Sequence, residues 1–429
     1  MATQITAREG TTITIETTVD LSGSMLAVED AILASVNEMG AVATQEGLKC
    51  FDADGESIML GGTKWYSRGQ LPKTYQTPYG EVGVARHLYQ RAGGGQTYCP
   101  LEHGARIVHT ATPRFAKIVS HKLAQTSALQ VRADLQENHG RPISKLLVQA
   151  LGAFVGAIVE AKEESWSYAM PKLATPIATV GIGIDGTCVM LCGPQWREAM
   201  AGSISLYDAS GERQHTVYIG AAPEHGKETF HQRMEREMAH VKAIYPQACY
   251  VGIADGAKSN WTFLEPHVTQ QIADFYHASE YLTEAADVIW HRIKDKSQRD
   301  VWLDAHCHQL KHEPGGVEAI LKELQAIDTE HWAAERAHKL TTCITYFTNQ
   351  RHRMKYAQYQ AAGMPIGSGV TEAACKTLIK QRLCRSGMKW SEQGAQVILS
   401  LRALVLTATR WDQFWRKINQ YGVPDLCHA

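Results

Sequence analysis

The sequence predicts an α/β protein whose central part is a mixed sheet covered by helices on both faces. Three observations support this prediction. Short β-like runs follow one another between residues 177 and 219, a helical pattern comes next at 229–244, and the apolar run Cys249–Ala254 follows that helix. Consecutive strands, then a helix, then further strands are typical of a sheet with helices packed on it.

Composition sets the size and general class of the protein. The chain has 429 residues, of which 44% are hydrophobic and 20% charged, so it can bury several cores and is not a disordered protein. The N-terminal sequence MATQITAREG lacks the form of a signal peptide, and the ten cysteines include no CxxC pair. We therefore expect a cytoplasmic protein with reduced cysteines and no membrane span.

The N-terminal part predicts a helical lead and a small β module. Residues 1–45 are a threonine-rich lead followed by a helix at 24–39, and residues 46–110 contain short β-like runs separated by glycines. The close spacing of its short strands and turns is similar to that of a zinc ribbon. However, it contains only Cys50 and Cys99 where a structural zinc site needs four ligands, so we expect no bound zinc.

Residues 111–170 predict two helices joined by a short turn. The helices are expected at 122–138 and 142–161, with His139, Gly140 and Arg141 between them. Such a pair is either a helix-turn-helix DNA-binding motif or a plain αα-hairpin, and the hairpin is the commoner arrangement.

Residues 171–278 contain the predicted sheet, and residues 279–345 predict four helices. The helices are expected at 279–295, 297–312, 315–327 and 330–345. His308 and His312 could share one face of the second helix, although no carboxylate motif accompanies them and a metal site there is the weaker interpretation.

Residues 346–429 include the most informative stretch, PIGSGVTEAACKTLIKQRLCRSGMKW. Thr371 is placed to cap a helix that carries Glu372 and then Lys376 and Lys380 at four-residue spacing. Between residues 339 and 417 there are thirteen Lys/Arg and three Asp/Glu, a net charge of +10, whereas the whole chain has −1. Such an excess is typical of a phosphate-binding face, although a single Glu–Lys pair on a helix is more often a weak surface ion pair.

Two aspartates are expected at the carboxyl ends of strands in the same sheet. Asp185 follows the run at 177–184, Asp255 follows Cys249–Ala254, and a glycine comes after each. Taken singly, each is best explained as an Asp-Gly turn. Taken together, two neighbouring carboxylates need a cation between them, and Mg²⁺ or Mn²⁺ is the natural choice. With Glu372 as a third acid, the set would form a two-metal site for phosphoryl transfer.

The order Asp185, Asp255, Glu372 on strand, strand and helix resembles that of DDE transposases, whose core is RNase H-like. The segment DFYHASEYL at 274–282 resembles the Asp-x-x-His element of Mutator-like transposases. The tail from Tyr346 to Leu404 is similar to the ISKra group of bacterial insertion-sequence transposases. The likeness extends over roughly residues 75–415, and it is weakest in the helical block.

The resemblance implies a fold and a set of functional residues. The fold would be an RNase H-like mixed-sheet core with a helical insertion, preceded by a small β module and a helix-turn-helix-like region. Asp185, Asp255 and Glu372 would bind two Mg²⁺ or Mn²⁺ ions. Asp274 and His277 would either support these metal ligands without binding the ions or contact DNA. The phosphate-binding cations would be Lys376, Lys380, Arg382, Arg385 and Lys389.

The resemblance also implies partners and an activity. The protein would be a DNA transposase that cuts transposon ends and joins them to target DNA, acting as a homo-oligomer in the bacterial cytoplasm on nucleoid DNA. Two alternatives stay open: a catalytically silent DNA-binding protein derived from a transposase, and a metal-dependent nuclease that does not transpose.

Overall fold

The computed structural model describes residues 3–193, 195–292 and 295–424. The chain divides into two compact units. The first unit is the chain up to Ala169 together with Ser400–Val405 and the residues from Thr409 onward, and the second is Met170–Leu399 with Leu406–Ala408. This division is coarser than the six segments expected from the sequence, and it groups the last helix with the N-terminal part.

The first unit begins with a β-hairpin, where the sequence had suggested only a threonine-rich lead. Strands β1 (Thr3–Glu9) and β2 (Thr12–Thr17) pair in an antiparallel manner. Helix α1 (Met25–Lys49) follows, and its first turn is capped by the Ser24 hydroxyl, which accepts a hydrogen bond from the Ala27 amide. The helix predicted at 24–39 is therefore confirmed, and it continues to Lys49.

A four-stranded antiparallel sheet forms the predicted β module. Its strands, in spatial order, are β3 (Ile58–Leu60), β4 (Thr63–Gln76), β5 (Glu81–Arg91) and β6 (Thr97–Tyr98). Val82 and Val84 of β5 are buried, as their alternation predicts. Cys50 is exposed and Cys99 is buried.

Four helices complete the N-terminal part of this unit: α2 (Pro100–Gly104), α3 (Pro113–Gln125), α4 (Ala128–His139) and α5 (Lys145–Lys162). The single helix predicted at 122–138 is wrong, because α3 ends at Gln125 and a separate helix, α4, begins at Ala128. Ser127 starts α4 with a capping box that it forms with Gln130. Gly140 ends α4 in the left-handed conformation, with φ 58°, which a glycine adopts without steric cost.

The second unit contains the predicted mixed sheet. Its strands are β7 (Thr179–Leu191), β8 (Gln195–Tyr207), β9 (Arg213–Ala221), β10 (Cys249–Ala254) and β11 (Gln270–Ala273). Their spatial order is β11-β10-β7-β8-β9. Strands β7, β8 and β9 are antiparallel neighbours, β10 runs parallel to β7, and β11 runs parallel to β10. Gly220 lies inside β9 opposite Ala201.

The sequence of β7 explains how helices cover both faces of this sheet. Val180, Ile182 and Ile184 point to one face, where they pack in a core cluster with apolar side chains of helix α6 (Glu228–Ile244). The alternate residues are Gly181, Gly183 and Asp185. Because glycine has no side chain, a segment of backbone can lie directly against this second face.

The helices after β10 are α7 (Lys258–Leu264), α8 (Phe275–Ile289), α9 (Lys296–His312), α10 (Gly316–Gln325), α11 (Ala334–Gln350), α12 (Tyr356–Ala361), α13 (Gly369–Ala374), α14 (Gln381–Leu383), α15 (Glu392–Leu406) and α16 (Arg410–Tyr421). The four helices of the predicted helical block correspond to α8–α11, and their apolar faces share one core cluster with β10 and β11. The residues of α15 are divided between the two units, and α16 belongs to the first. Within the described part of the chain, no helix is long and apolar enough to cross a membrane.

Candidate active site

Asp185 lies within β7, and Asp255 directly follows the neighbouring strand β10. The pairing of β10 with β7 ends with Ile253 opposite Gly183, so each aspartate comes two residues after this last pair. Because side chains alternate along a strand, Asp185 lies on the face lined by Gly181 and Gly183.

Asp185 differs from its predicted position in one respect. The sequence suggested that a strand ends at this residue, but β7 continues to Leu191, and Asp185 lies within it opposite Ala201. The Asp-Gly turn is therefore wrong for this residue. The strand continues because β8 pairs with β7 along its whole length, whereas the shorter β10 ends at Ala254.

The Asp185 carboxylate is hydrogen-bonded on this face. It accepts a hydrogen bond from the Gly186 amide at 2.7 Å and also contacts the thiol of Cys375. Burial raises the pKa of the Cys375 thiol well above its ordinary value, and the charge and hydrogen bond of Asp185 raise it further.

Asp255 is exposed and begins a true turn. Its Oδ1 accepts hydrogen bonds from the Ala257 amide at 3.1 Å and from Asn260 Nδ2 at 3.3 Å. Gly256 adopts φ 111°, which favours glycine, and a Cβ there would lie 3.1 Å from the Tyr346 ring. Gln350 Nε2 donates to the Gly256 carbonyl at 3.3 Å, so helix α11 fixes the turn that carries Asp255.

The helix that carries Glu372 packs on the face of the sheet to which Asp185 points. Thr371 is 3% exposed, and its hydroxyl lies 2.8 Å from that of Ser203 on β8. A Cβ at Gly183 would overlap Thr371 Oγ1, so only glycine leaves room for the helix. The predicted cap at Thr371 is wrong, because the helix begins earlier, with Ser368 at its N-cap position, and Thr371 faces the sheet instead.

Glu372 is exposed and lies one helical turn before Cys375, which contacts Asp185. Its Oε1 accepts a hydrogen bond of 2.7 Å from the Ser368 hydroxyl. From Cys375 to Lys380 the helix is π-helical, a form that recurs at functional sites. Glu372, Lys376 and Lys380 are all exposed, so their four-residue spacing keeps them on the solvent side of the helix, as predicted.

The three acids offer only carboxylate oxygens, the donors that Mg²⁺ and Mn²⁺ prefer, so the donor chemistry fits such ions. Asp185 and Asp255 come from the adjacent strands β7 and β10, and Glu372 is hydrogen-bonded to Ser368. Across residues 3–193, 195–292 and 295–424, no three His, Cys, Asp or Glu side chains are grouped closely enough to hold a metal ion.

Asp274 and His277 lie beside the candidate active site. The Asp274 side chain is completely buried and caps α8 by accepting hydrogen bonds from the Tyr276 and His277 amides. The same carboxylate accepts a bond of 2.6 Å from the Ser368 amide. His277 is partly exposed, and its ring lies against Tyr281 and Tyr346, which stack at 3.8 Å.

Four of the five cations predicted to bind phosphate are exposed: Lys376, Lys380, Arg385 and Lys389. Arg382 is not suited to that role, because it is 2% exposed and its guanidinium lies 5.0 Å from the centre of the Trp390 ring. The backbone of Trp390 bonds to Met190 and Cys192, so the cationic segment is attached to the end of the β7–β8 hairpin.

Sequence reasoning missed two polar groups at this site. Cys375 is 4% exposed and packs as an apolar residue would, and its thiol also lies near Asp185. Ser368 could be found from its position four residues before Glu372, which is the spacing of helical neighbours.

No protein-family model matches this sequence, and a search of curated proteins returns no match.

Proposed function

We propose that this protein is a DDE-type DNA transposase with an RNase H-like core. One observation carries the proposal: Asp185 in β7 and Asp255 directly after the parallel neighbour β10 belong to the sheet on which the Glu372 helix packs. Carboxylates arranged in this way suit a site for divalent cations and phosphoryl transfer.

The topology of the sheet supports the RNase H-like core. Three antiparallel strands are followed by helix α6 and then by two strands parallel to the first, in the order β11-β10-β7-β8-β9. The helical block between Asp255 and Glu372 would then be an insertion into this core.

The chain's own residues have separate roles in this proposal. Asp185, Asp255 and Glu372 would hold two Mg²⁺ or Mn²⁺ ions, which when bound supply Lewis-acid stabilisation of phosphate charge. The exposed Lys376, Lys380, Arg385 and Lys389 would hold the DNA backbone next to these acids. The first unit, with its β module and helices, would recognise the transposon ends, and a homo-oligomer would bring two ends together.

The test uses DNA fragments from both flanks of the gene that encodes this chain, with Mg²⁺ and a target plasmid. We expect the wild-type protein to cut the fragments and join them to the plasmid. Asp185→Asn, Asp255→Asn and Glu372→Gln should abolish both reactions and preserve end binding. Strand transfer at the wild-type rate by Glu372→Gln would contradict the three-acid site.

The same assay separates the two alternatives. Cut but unjoined products would indicate a nuclease that does not transpose. Specific binding without cutting by the wild-type protein would indicate a silent DNA-binding protein.

A further inference from the structure

The first unit contains an open cavity of about 660 Å³. The β module contributes Trp65 and Tyr98 to its lining, helix α2 contributes His103, the turn between α2 and α3 contributes His109, and helix α5 contributes Phe154. Pockets that bind small molecules have volumes of roughly 300–1,000 Å³. The cavity is therefore large enough to hold a small organic ligand.

Aromatic and imidazole rings form much of the lining. The Tyr98 ring packs against that of Trp65, with centroids 6.3 Å apart, and against that of His103 at 5.7 Å. The His109 ring packs edge-on against that of Phe154 at 5.8 Å. Tyr98 and Phe154 are half-buried, and both histidines are exposed. Rings that are anchored by packing and still reach solvent can stack on a planar heterocycle.

The lining also carries groups that can bond to the edge of a heterocycle. Gln96 and Thr97 are exposed at the cavity, and an amide and a hydroxyl each offer both a donor and an acceptor. The imidazoles of His103 and His109 add further donors or acceptors. A nucleobase needs this combination, since its faces stack and its edge forms hydrogen bonds.

Two arginines contact residues of the lining. The Arg91 guanidinium lies 5.0 Å from the centre of the Trp65 ring, and Arg106 Nη1 donates to the His103 carbonyl at 2.9 Å. Glu102 also lines the cavity, but its carboxylate is paired with a lysine and an arginine. The surroundings of the rings therefore favour a ligand that carries a phosphate.

The turn that presents His109 has an uncommon backbone. Arg106 and His109 have φ of 55° and 59°, a left-handed conformation that few residues other than glycine adopt. Val108 and Ala111 exchange two backbone hydrogen bonds of 2.9 Å, which close the turn around His109. Residues held in such conformations are found preferentially at functional sites, including ligand clamps.

We infer that this cavity binds a nucleotide, with its base stacked on the rings and its phosphate beside Arg91 or Arg106. The nucleotide is either free in solution or part of DNA in which its base is unpaired. All the groups named belong to the first unit, so the inference does not depend on the acidic residues of the second.

The test follows the fluorescence of 2-aminopurine, an adenine analogue that is quenched when it stacks on a ring. The probes are 2-aminopurine riboside monophosphate and a DNA duplex that carries 2-aminopurine as a single-nucleotide bulge. Each is titrated with the full-length protein, and we expect saturable quenching of at least one. Quenching of the bulged duplex alone would identify DNA as the source of the base, and quenching of the monophosphate would identify a site for free nucleotides.

His103→Ala removes an exposed ring and should weaken binding of the quenched probe by about 5-fold or more. Tyr98→Leu, which keeps an apolar side chain, should weaken it in the same direction. The matched control is Tyr66→Ala. Tyr66 is 44% exposed and follows Trp65 in β4, so its ring points to the other face of the module. This variant should bind the probe like the wild type.

Arg91→Ala separates recognition of the phosphate from support of the fold. It should weaken binding of the monophosphate and leave binding of the unphosphorylated riboside unchanged, whereas a structural defect would weaken both. The inference is overturned if neither the monophosphate nor the bulged duplex is quenched. It is also overturned if His103→Ala and Tyr98→Leu bind as tightly as Tyr66→Ala.

Discussion

The hydroxyl of Thr371 lies 2.8 Å from the hydroxyl of Ser203, and both side chains are buried between α13 and the sheet. Leaving either hydroxyl unpaired would cost about 1–3 kcal/mol. This bond and the glycine at 183 set the distance at which the Glu372 helix packs on the strands that carry Asp185 and Asp255.

Gly183→Ala tests this close packing. The added methyl would overlap Thr371 Oγ1, so the helix must move. We expect the free energy of unfolding to fall by about 1–3 kcal/mol, and DNA cleavage to fall with it. Gly369→Ala is the control, because a Cβ at Gly369 meets no described atom within 4 Å. Urea unfolding measures the free energy of unfolding of both variants. Equal values for the two would contradict close packing of the Glu372 helix on Gly183.

Arg382 is predicted to act in stability rather than in binding DNA. Its side chain is 2% exposed and lies over Trp390. Arg382→Ala should lower the free energy of unfolding by about 2–4 kcal/mol, because it removes a large buried side chain. Lys389→Ala, at an exposed position of the same segment, should change stability by less than about 0.5 kcal/mol. The opposite order in thermal unfolding would contradict the assignment.

Lys376, Lys380 and Lys389 are predicted to contact DNA phosphates, because they are exposed beside the candidate active site. Replacing any one of them by alanine should reduce the slope of log affinity against log salt by about 1. This slope is measured by fluorescence anisotropy of labelled DNA as the salt concentration is raised from about 50 to about 200 mM. An unchanged slope in all three variants would place the DNA elsewhere. Lys322→Ala, in helix α10, is a matched control outside the predicted face.

The sequence predicted the parts of the core whose pattern is local. The mixed sheet, the strand Cys249–Ala254 and the four helices of the helical block are confirmed with small changes in their bounds. Alternation and helical periodicity are properties of neighbouring residues, and can therefore be read directly.

The features that the sequence did not predict depend on contacts between residues that are distant in the chain. The length of β7 beyond Asp185 is set by its pairing with β8, and the burial of Arg382 is set by Trp390. The Asp274–Ser368 bond joins residues 94 positions apart. None of these contacts can be predicted from the pattern of neighbouring residues in the sequence.

The acidic side chain of Glu102 gives the first unit a predicted dependence on pH. Burial would raise the pKa of Glu102, but hydrogen bonds from Lys73 and Tyr75 and the charge of Lys73 outweigh burial and lower it below 4.5. A lowered pKa stabilises the fold above the unfolded-state pKa, and this stabilisation is lost as the pH falls through the folded-state pKa.

Glu102→Gln should therefore lower the free energy of unfolding by about 1–3 kcal/mol at pH 7, and the difference from wild type should shrink as the pH falls below about 4. Urea titrations at both pH values measure it. Glu137→Gln, at an exposed position of α4, should have little effect at either pH. A gap between Glu102→Gln and wild type that is the same at both pH values would contradict the predicted role of the carboxylate.

We propose that Asp185 and Asp255 bind the same divalent cation. The decisive measurement is anomalous diffraction from crystals of the full-length protein soaked in Mn²⁺. We predict a manganese peak at coordination distance from carboxylate oxygens of both residues. Manganese bound elsewhere, or bound by only one of the two aspartates, would rule out a shared cation.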